Sequence, residues 1–220
     1  MSAMQSLQFS VATDFLAIYY VHTYLFSMPR PSNREKILAE GLRIVHERGF
    51  AGASVRDIAQ AAQVPLGSFT NHFASKEAFG LEILDLYYAH SHTLVTATLL
   101  NEALPPLERI ATYIDRTTAK LHGKDMHAGC LLGNFGAEVT GHCEGLRLRL
   151  IGIFEEIRQA MIKALRAAVA AGDLPAAFDC EDAAGFMFAA LQGAILVAKT
   201  LRNDIPLQRY RRQLFGKILR

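Results

Sequence analysis

The 220-residue chain has no tryptophan, three cysteines and seven prolines, and its formal net charge is only +2. Each shortage closes off a class of protein. The odd set Cys130, Cys143 and Cys180 cannot pair completely, which argues against a secreted disulfide scaffold and fits a reducing cytoplasm. The histidines are scattered without an HExxH spacing. His122 with His127, and His90 with His92, come nearest to a ligand pair, and neither a metal nor a cofactor is expected. A charge of +2 is too small for a dedicated non-specific nucleic-acid binder, so any DNA contact has to be local. After residue 28 there is no strand-type alternation, no repeat and no low-complexity run. The apolar fraction of 51% supplies a core. Its residues recur at helical spacing, so the expected fold class is all-α.

Residues 54 to 73, SVRDIAQAAQVPLGSFTNHF, read as a helix-turn-helix. Ser54 caps a short helix with Val55, Ile58, Ala59 and Ala62 on one face and Arg56 and Gln60 on the other. Gln63 and Val64 break the pattern, and Pro65, lacking a backbone N–H, suits the first position of a second helix. That helix can bury Phe69 and Phe73 and leave Ser68, Thr70 and Asn71 facing outward, as small polar side chains presented to a major groove would be. Upstream, Ser32 or Asn33 caps a helix carrying Ile37, Leu38, Leu42 and Val45, ended by Gly49. Residues 29–78 thus form an expected three-helix headpiece. Between Pro29 and Gly80 seven Lys or Arg face five acids, an excess of two that doubles in a dimer.

Residues 79–220 are expected to form a larger helical body for ligand binding and dimerisation. Ser75 caps a long helix with Phe79, Ile83, Leu84, Leu86, Tyr87, Leu94 and Leu99, a natural lever from headpiece to body. Pro106 opens a helix with Ile110, Tyr113, Ile114 and Leu121 inward. Residues 130–143 read as a short glycine-containing helix, residues 144–171 as a long one stopped by Gly172, and Asp179 caps another from Cys180 to Leu201. That helix is apolar on more than one face, which means burial or an interface. Residues 1–28 stand apart. The run at 7–26 approaches the length of a membrane span, but it carries Asp14 and His22 and has no basic flank. A translation start placed too far upstream, or an extra helix on the body, is the expectation rather than a membrane anchor.

The run REKILAEGLRIVHERGFAGASVRDIAQAAQVPLGSFTNHFASKEAF, residues 34–79, resembles without gaps the N-terminal DNA-binding domain of TetR-family repressors. The matching positions are Ser54 opening the second helix, the Ile58 and Ala59 pair, Val64 and Gly67 around the recognition-helix start, and His72, Phe73, Ser75, Lys76 and Glu77 into the fourth helix. Two positions depart from the family pattern. The usual phosphate-contacting aromatic is Thr70, and the often polar residue after the turn is Leu66, which bears on the bases read. A weaker resemblance, in GCLLGNFGAEV at 129–139 and AKTLRNDIPL at 198–207, is to the N-ethylmaleimide-reductase-repressor and acrylate-regulator subgroup. It implies control of enzymes that handle reactive carbonyls, quinones or acrylate-like electrophiles. In the N-ethylmaleimide-reductase repressor a reactive cysteine follows the Ala-Glu-Val run, where this chain has Thr140; Lys199 matches the lysine associated with it, and Cys130 matches the Gly-Cys-Leu cysteine.

The resemblance implies a homodimeric repressor, joined through the last two long helices and reading a near-palindromic operator. Arg34, Ser54, Arg56, Thr70, His72 and Lys76 are the expected phosphate contacts, and Leu66, Gly67, Ser68 and Asn71 the expected base-edge contacts. Tyr87, Tyr113, Phe135, Phe186, Asn134, Glu138 and Gln192 are candidates to line a small-molecule cavity, with Lys199 carried over from the resemblance. Cys130, near Lys124, His122 and His127, and Cys143, beside His142 and near Arg147, are either thiolate sensors or small buried hydrophobes. The expected partners are double-stranded operator DNA, a small-molecule effector that can be an electrophile, and a second copy of the chain, with no membrane. The alternative is a helical small-molecule binder or thiol enzyme without DNA binding, for which no base-orienting constellation is evident.

Overall fold

The structure, a computed structural model, describes residues 31–122, 127–139, 141 and 143–220. The expected extension at 1–28, and Lys124, Thr140 and His142, lie outside the described residues. Among those described there are nine α-helices and no strand.

The headpiece is built from short helices whose ends are chemically specified. Helix α1 (Asn33–Arg48) stops at Gly49, whose φ of +81° a residue with a Cβ adopts only with strain. Helix α2 (Val55–Ala61) starts where the Ser54 hydroxyl accepts from the Asp57 N–H at 3.1 Å and donates to the Asp57 carboxylate at 2.7 Å. It ends in a Schellman turn. Gln63 has φ +54°, its N–H reaches the Gln60 carbonyl at 3.1 Å, and the Val64 N–H reaches the Ala59 carbonyl at 3.0 Å. Pro65 is extended and stands just outside helix α3 (Leu66–His72) rather than in its first turn. Helix α4 (Lys76–Ala97) begins at Ser75, whose hydroxyl accepts from the Ala78 N–H at 3.0 Å.

Phe79 joins headpiece to lever. Its fully buried ring leaves α4 and packs on Phe69 and Phe73, with centroids 5.1 and 5.2 Å apart. Gly41 on α1 makes the room: a Cβ there would sit 2.3 Å from the Phe79 Cζ. Helix α4 ends two residues before Leu99, which is buried beyond it, and the tyrosine turned fully into the core is Tyr88, whereas Leu86 is half-buried. The Tyr88 hydroxyl donates to the Glu156 carboxylate at 2.8 Å.

The body is organised on α7 (Glu144–Ala170), which at 27 residues is about 40 Å long. It packs on α4, on α5 (Pro106–His122), on α6 (Leu131–Val139) and on α8 (Cys180–Leu201). Leu146, Leu150, Ile153, Ile157, Met161 and Leu165 form its inner stripe, and Gly172, with φ +80°, stops it in a second Schellman turn. Helix α9 (Ile205–Gln213) packs back on α8, where the buried Tyr210 hydroxyl donates to the Met187 carbonyl at 2.9 Å, and a closing π-turn (Leu214–Ile218) continues it.

Removing the Phe79 ring leaves a cavity between headpiece and lever. Phe79→Ala is expected to cost about 3–5 kcal/mol in denaturant melts; a loss below about 1 kcal/mol would show that the ring does not pin the two parts.

Candidate nucleic-acid interface and internal cavity

Helix α3 presents one wet face. Leu66 is 47% exposed, Thr70, Asn71 and His72 are exposed, and the space in front of Gly67 is open. The Thr70 hydroxyl is turned back onto the Gly67 carbonyl at 3.1 Å. His72 is not a core histidine; its ring lies edge-on to Phe73 at 6.4 Å. Ser68 does not point wholly outward as expected: it is half-buried and accepts from Asn33 Nδ2 at 3.2 Å, because α1 starts beside it. Among the flanking residues Arg56 is exposed, Ser54 is exposed but engaged as the α2 cap, and Arg34 pairs with Glu82 while lying over the Phe73 ring. Lys76 is drawn inward. Its ammonium sits 4.8 Å above the Phe50 ring and 3.4 Å from the Ala51 carbonyl, and desolvation lowers its pKa.

A cavity of about 390 Å³ lies where α1, α4, α5, α7 and α8 meet the turn before α6. Leu94, Leu121, Leu132, Ile157, Leu191 and Ile195 are among its apolar lining, and Tyr87, Tyr113, Cys130 and Gln192 are among its polar groups, with Lys120 also in the wall. Burial, with the Cys130 sulfur next in effect, pushes the hydroxyls of Tyr87 and Tyr113 well above the ordinary tyrosine range. Both stay protonated donors in any neutral buffer. Tyr87 and Cys130 line the same space.

A smaller pocket of about 230 Å³ lies on the other side of Cys130, and it is here that Asn134 and Lys199 are found. Lys199 Nζ donates to Asn134 Oδ1 at 3.2 Å, and Asn134 Nδ2 donates to the Ala128 carbonyl at 3.0 Å. Cys130 and Gln192 line both spaces.

Six of the ten expected ligand-site residues therefore converge: Tyr87, Tyr113, Cys130, Asn134, Gln192 and Lys199. Four do not. Phe135 is buried against Phe50, with centroids 5.2 Å apart, on the headpiece-facing side of α6. Glu138 shares that side and accepts from the Ala51 N–H at 2.8 Å. Cys143 is the residue from which α7 starts, outside both linings. Phe186 is 51% exposed on a surface groove between α8 and α9. The third thiol, Cys180, is buried, and desolvation followed by the Glu181 carboxylate pushes its pKa up.

Sequence reasoning missed Leu42 and His46, one turn apart on α1, which carry the headpiece into the cavity wall. A histidine in register with the apolar stripe of α1 was the available signal. It is buried, its Nε2 donates to the Gly129 carbonyl at 3.0 Å, and its ring meets Tyr87 edge-on at 5.6 Å. No group of three or more His, Cys, Asp or Glu among the described residues could hold a metal ion.

A capped helix-turn-helix with a bare second helix, borne on a lever that enters a cavity-containing helical body, defines a DNA-binding regulator. The pattern described as "Bacterial regulatory proteins, tetR family" matches residues 37–83, and "Tetracyclin repressor-like, C-terminal domain" matches residues 106–214. The chain belongs to the TetR family of transcriptional regulators. It is 34% identical to the HTH-type transcriptional repressor DhaR of Mycobacterium sp. strain GP1, over 87% of this chain and 95% of that protein. It is 31% identical to the transcriptional regulator AcuR of Cereibacter sphaeroides, over 83% of each. The crystal structure of Escherichia coli NemR in its reduced form superposes with a TM-score of 0.75 at 29% identity, covering 86% of this chain and 98% of that one. These relatives bear out the subgroup resemblance, and the chain is a regulator of transcription rather than an enzyme.

If the larger cavity is open to small apolar molecules, anilinonaphthalene sulfonate will bind saturably at one per protomer. Ser91→Trp, which fills the wall from α4, is expected to weaken binding at least tenfold at unchanged helical circular dichroism. Equal dye binding by the variant would place the dye elsewhere.

Proposed function

We propose that this regulator is a homodimeric repressor that reads a near-palindromic operator and is released when a small molecule occupies, or an electrophile modifies, the cavity around Cys130. The observation that carries this reading is the cavity itself, whose wall includes residues of the headpiece helix α1, so that occupancy bears directly on the DNA-reading part. Two α3 helices spaced about one DNA turn, ~34 Å, would enter successive major grooves. Leu66, Gly67, Ser68 and Asn71 would approach base edges, while Arg34, Ser54, Arg56, Thr70, His72 and Lys76 would hold phosphates, Lys76 only after leaving Phe50.

The dimer reading is supported by exposed apolar residues on the two long helices. Leu148 and Ile151 on α7, and Leu196, Val197 and Leu201 on α8, lie open in the single chain. Helix α8 is long and apolar enough to cross a membrane by length and composition alone. In a family of DNA-binding regulators, a second copy is the better partner for that face.

The effector must bind the DNA-incompetent state more tightly to release the operator. An electrophile with an activated double bond would act through Cys130. The thiolate adds to the alkene carbon, a C–S bond forms as the C=C π bond breaks, and the neighbouring carbon takes its proton from water; nothing leaves. Lys199, held by Asn134 on the far side of the same thiol, is a cation within that environment.

In gel shifts with the DNA flanking its own gene, the protein is expected to give saturable, salt-sensitive binding. Arg56→Ala should weaken all sequences alike and reduce the salt slope by about 1, whereas Asn71→Ala should relax preference at one base position. Absence of saturable binding at any flanking site would sink the repressor reading. Val197→Glu with Leu201→Glu is expected to give monomers in sedimentation and to abolish the shift; a dimer surviving both changes would move the interface elsewhere. N-ethylmaleimide is expected to release the DNA from wild type, and from a Cys143→Ser, Cys180→Ser protein, but not from Cys130→Ser.

A further inference from the structure

Helix α6 and the turn that leads into it contribute to the cavity at their start and meet the headpiece along their length. Its approach turn and first residues, Gly129, Cys130 and Leu132, are cavity wall. The same turn and helix also grip the headpiece at the end of α1. His46 donates to the Gly129 carbonyl at 3.0 Å, Phe50 packs on Phe135 at 5.2 Å, and the Ala51 N–H donates to the Glu138 carboxylate at 2.8 Å. These three contacts run the length of α6, nine residues or about 13 Å.

The Glu138 contact is closely fitted. Gly49, in the left-handed region, brings the backbone so near that a Cβ there would lie 2.3 Å from Glu138 Oε1. Desolvation lowers the pKa of Lys76, whose ammonium is 3.4 Å from the Ala51 carbonyl, and the Glu138 carboxylate opposes that lowering. One carboxylate thus takes the N–H of Ala51 while the lysine beside it takes the carbonyl. The segment so held, residues 49–53, leads directly into Ser54, the cap from which α2 starts.

We propose that Glu138 is the positioning residue through which the cavity reports to the DNA-reading helices. This rests on the reading of the cavity as the effector site. A helix of about two and a half turns moves as a rigid piece, so displacement of its first turn at Cys130 is carried to its last turn at Glu138. The hydrogen bond to Ala51 tolerates only a few tenths of an ångström before it weakens. Loss of that bond frees the 49–53 segment, and with it the orientation of α2 and α3 against α1. This route runs beside the α4 lever and enters the headpiece at a different point.

The test is hydrogen–deuterium exchange of the peptide covering residues 49–53, in the full chain carrying Cys143→Ser and Cys180→Ser. Alkylation of Cys130 with N-ethylmaleimide, verified by mass, is expected to speed exchange there at least tenfold. Glu138→Ala should show the fast rate before alkylation and no further change after it. Glu138→Gln, which keeps an acceptor oxygen for Ala51, should behave as the parent does. A Cys130→Trp protein, tested in parallel, crowds the same wall without chemistry and should reproduce the alkylated rate. The proposal is overturned if alkylation and Cys130→Trp both leave exchange at 49–53 unchanged, or if Glu138→Ala responds like its parent. DNA release by the alkylated parent is read separately: a parent whose 49–53 segment opens but whose operator stays bound refutes release through Cys130 and leaves the Glu138 coupling standing.

Discussion

The burial of one phenylalanine ring holds the DNA-reading part of this molecule to the rest. Helices α2 and α3 are seven residues each, too short to persist in water without tertiary contacts. Their apolar residues Ile58, Phe69 and Phe73 close around Phe79, which belongs to neither and comes from the first turn of α4. The ring reaches them only because position 41 has no side chain. The pose of the recognition helix is therefore defined relative to α4, a 22-residue helix that continues from Phe79 to Ala97 into the body.

In the body the same logic is reversed. The long α7 supplies the packing surface, and the helices around it leave a space rather than closing it. That space is mostly apolar, with a few hydroxyl, amide and thiol groups in its wall. Burial keeps both tyrosine hydroxyls protonated, so they can orient a ligand by donating without adding charge. The ion pairs, by contrast, are largely at the surface, as at Arg43 with Glu40 and Glu47 or Arg158 with Glu155, where solvent screening leaves each of them little weight in stability.

Most of the fold was legible because helix ends leave chemical marks. Ser54, Ser75 and Asp179 cap as their side chains suggest, and Gly49 and Gly172 stop helices as expected. The site was less legible. Tyr87, Tyr113, Cys130 and Gln192 come from four different elements, and their convergence is a property of packing. Phe135 and Glu138, expected at the ligand, lie against Phe50 and Ala51 instead, and a nine-residue helix with small residues on several sides gives no local sign of which side meets which neighbour. Lys76 was assigned to phosphate on its position in the family pattern, while Phe50 and the Ala51 carbonyl, from a segment twenty-five residues earlier, draw it inward.

What the amino-acid order determined by itself is local: where helices begin and end, which stripe of each is apolar, and that residues 54–73 make a turn between two short helices. Those outcomes depend on side chains within about four positions of one another, through caps, φ preferences and the helical period. Tertiary structure decided the long-range pairings: Phe79 over Gly41, His46 on Gly129, Glu138 on Ala51, and Lys199 with Asn134. Each joins residues 38 to 87 positions apart. No local preference specifies such pairs, since they form only when burial of separate apolar stripes has already set the helices side by side.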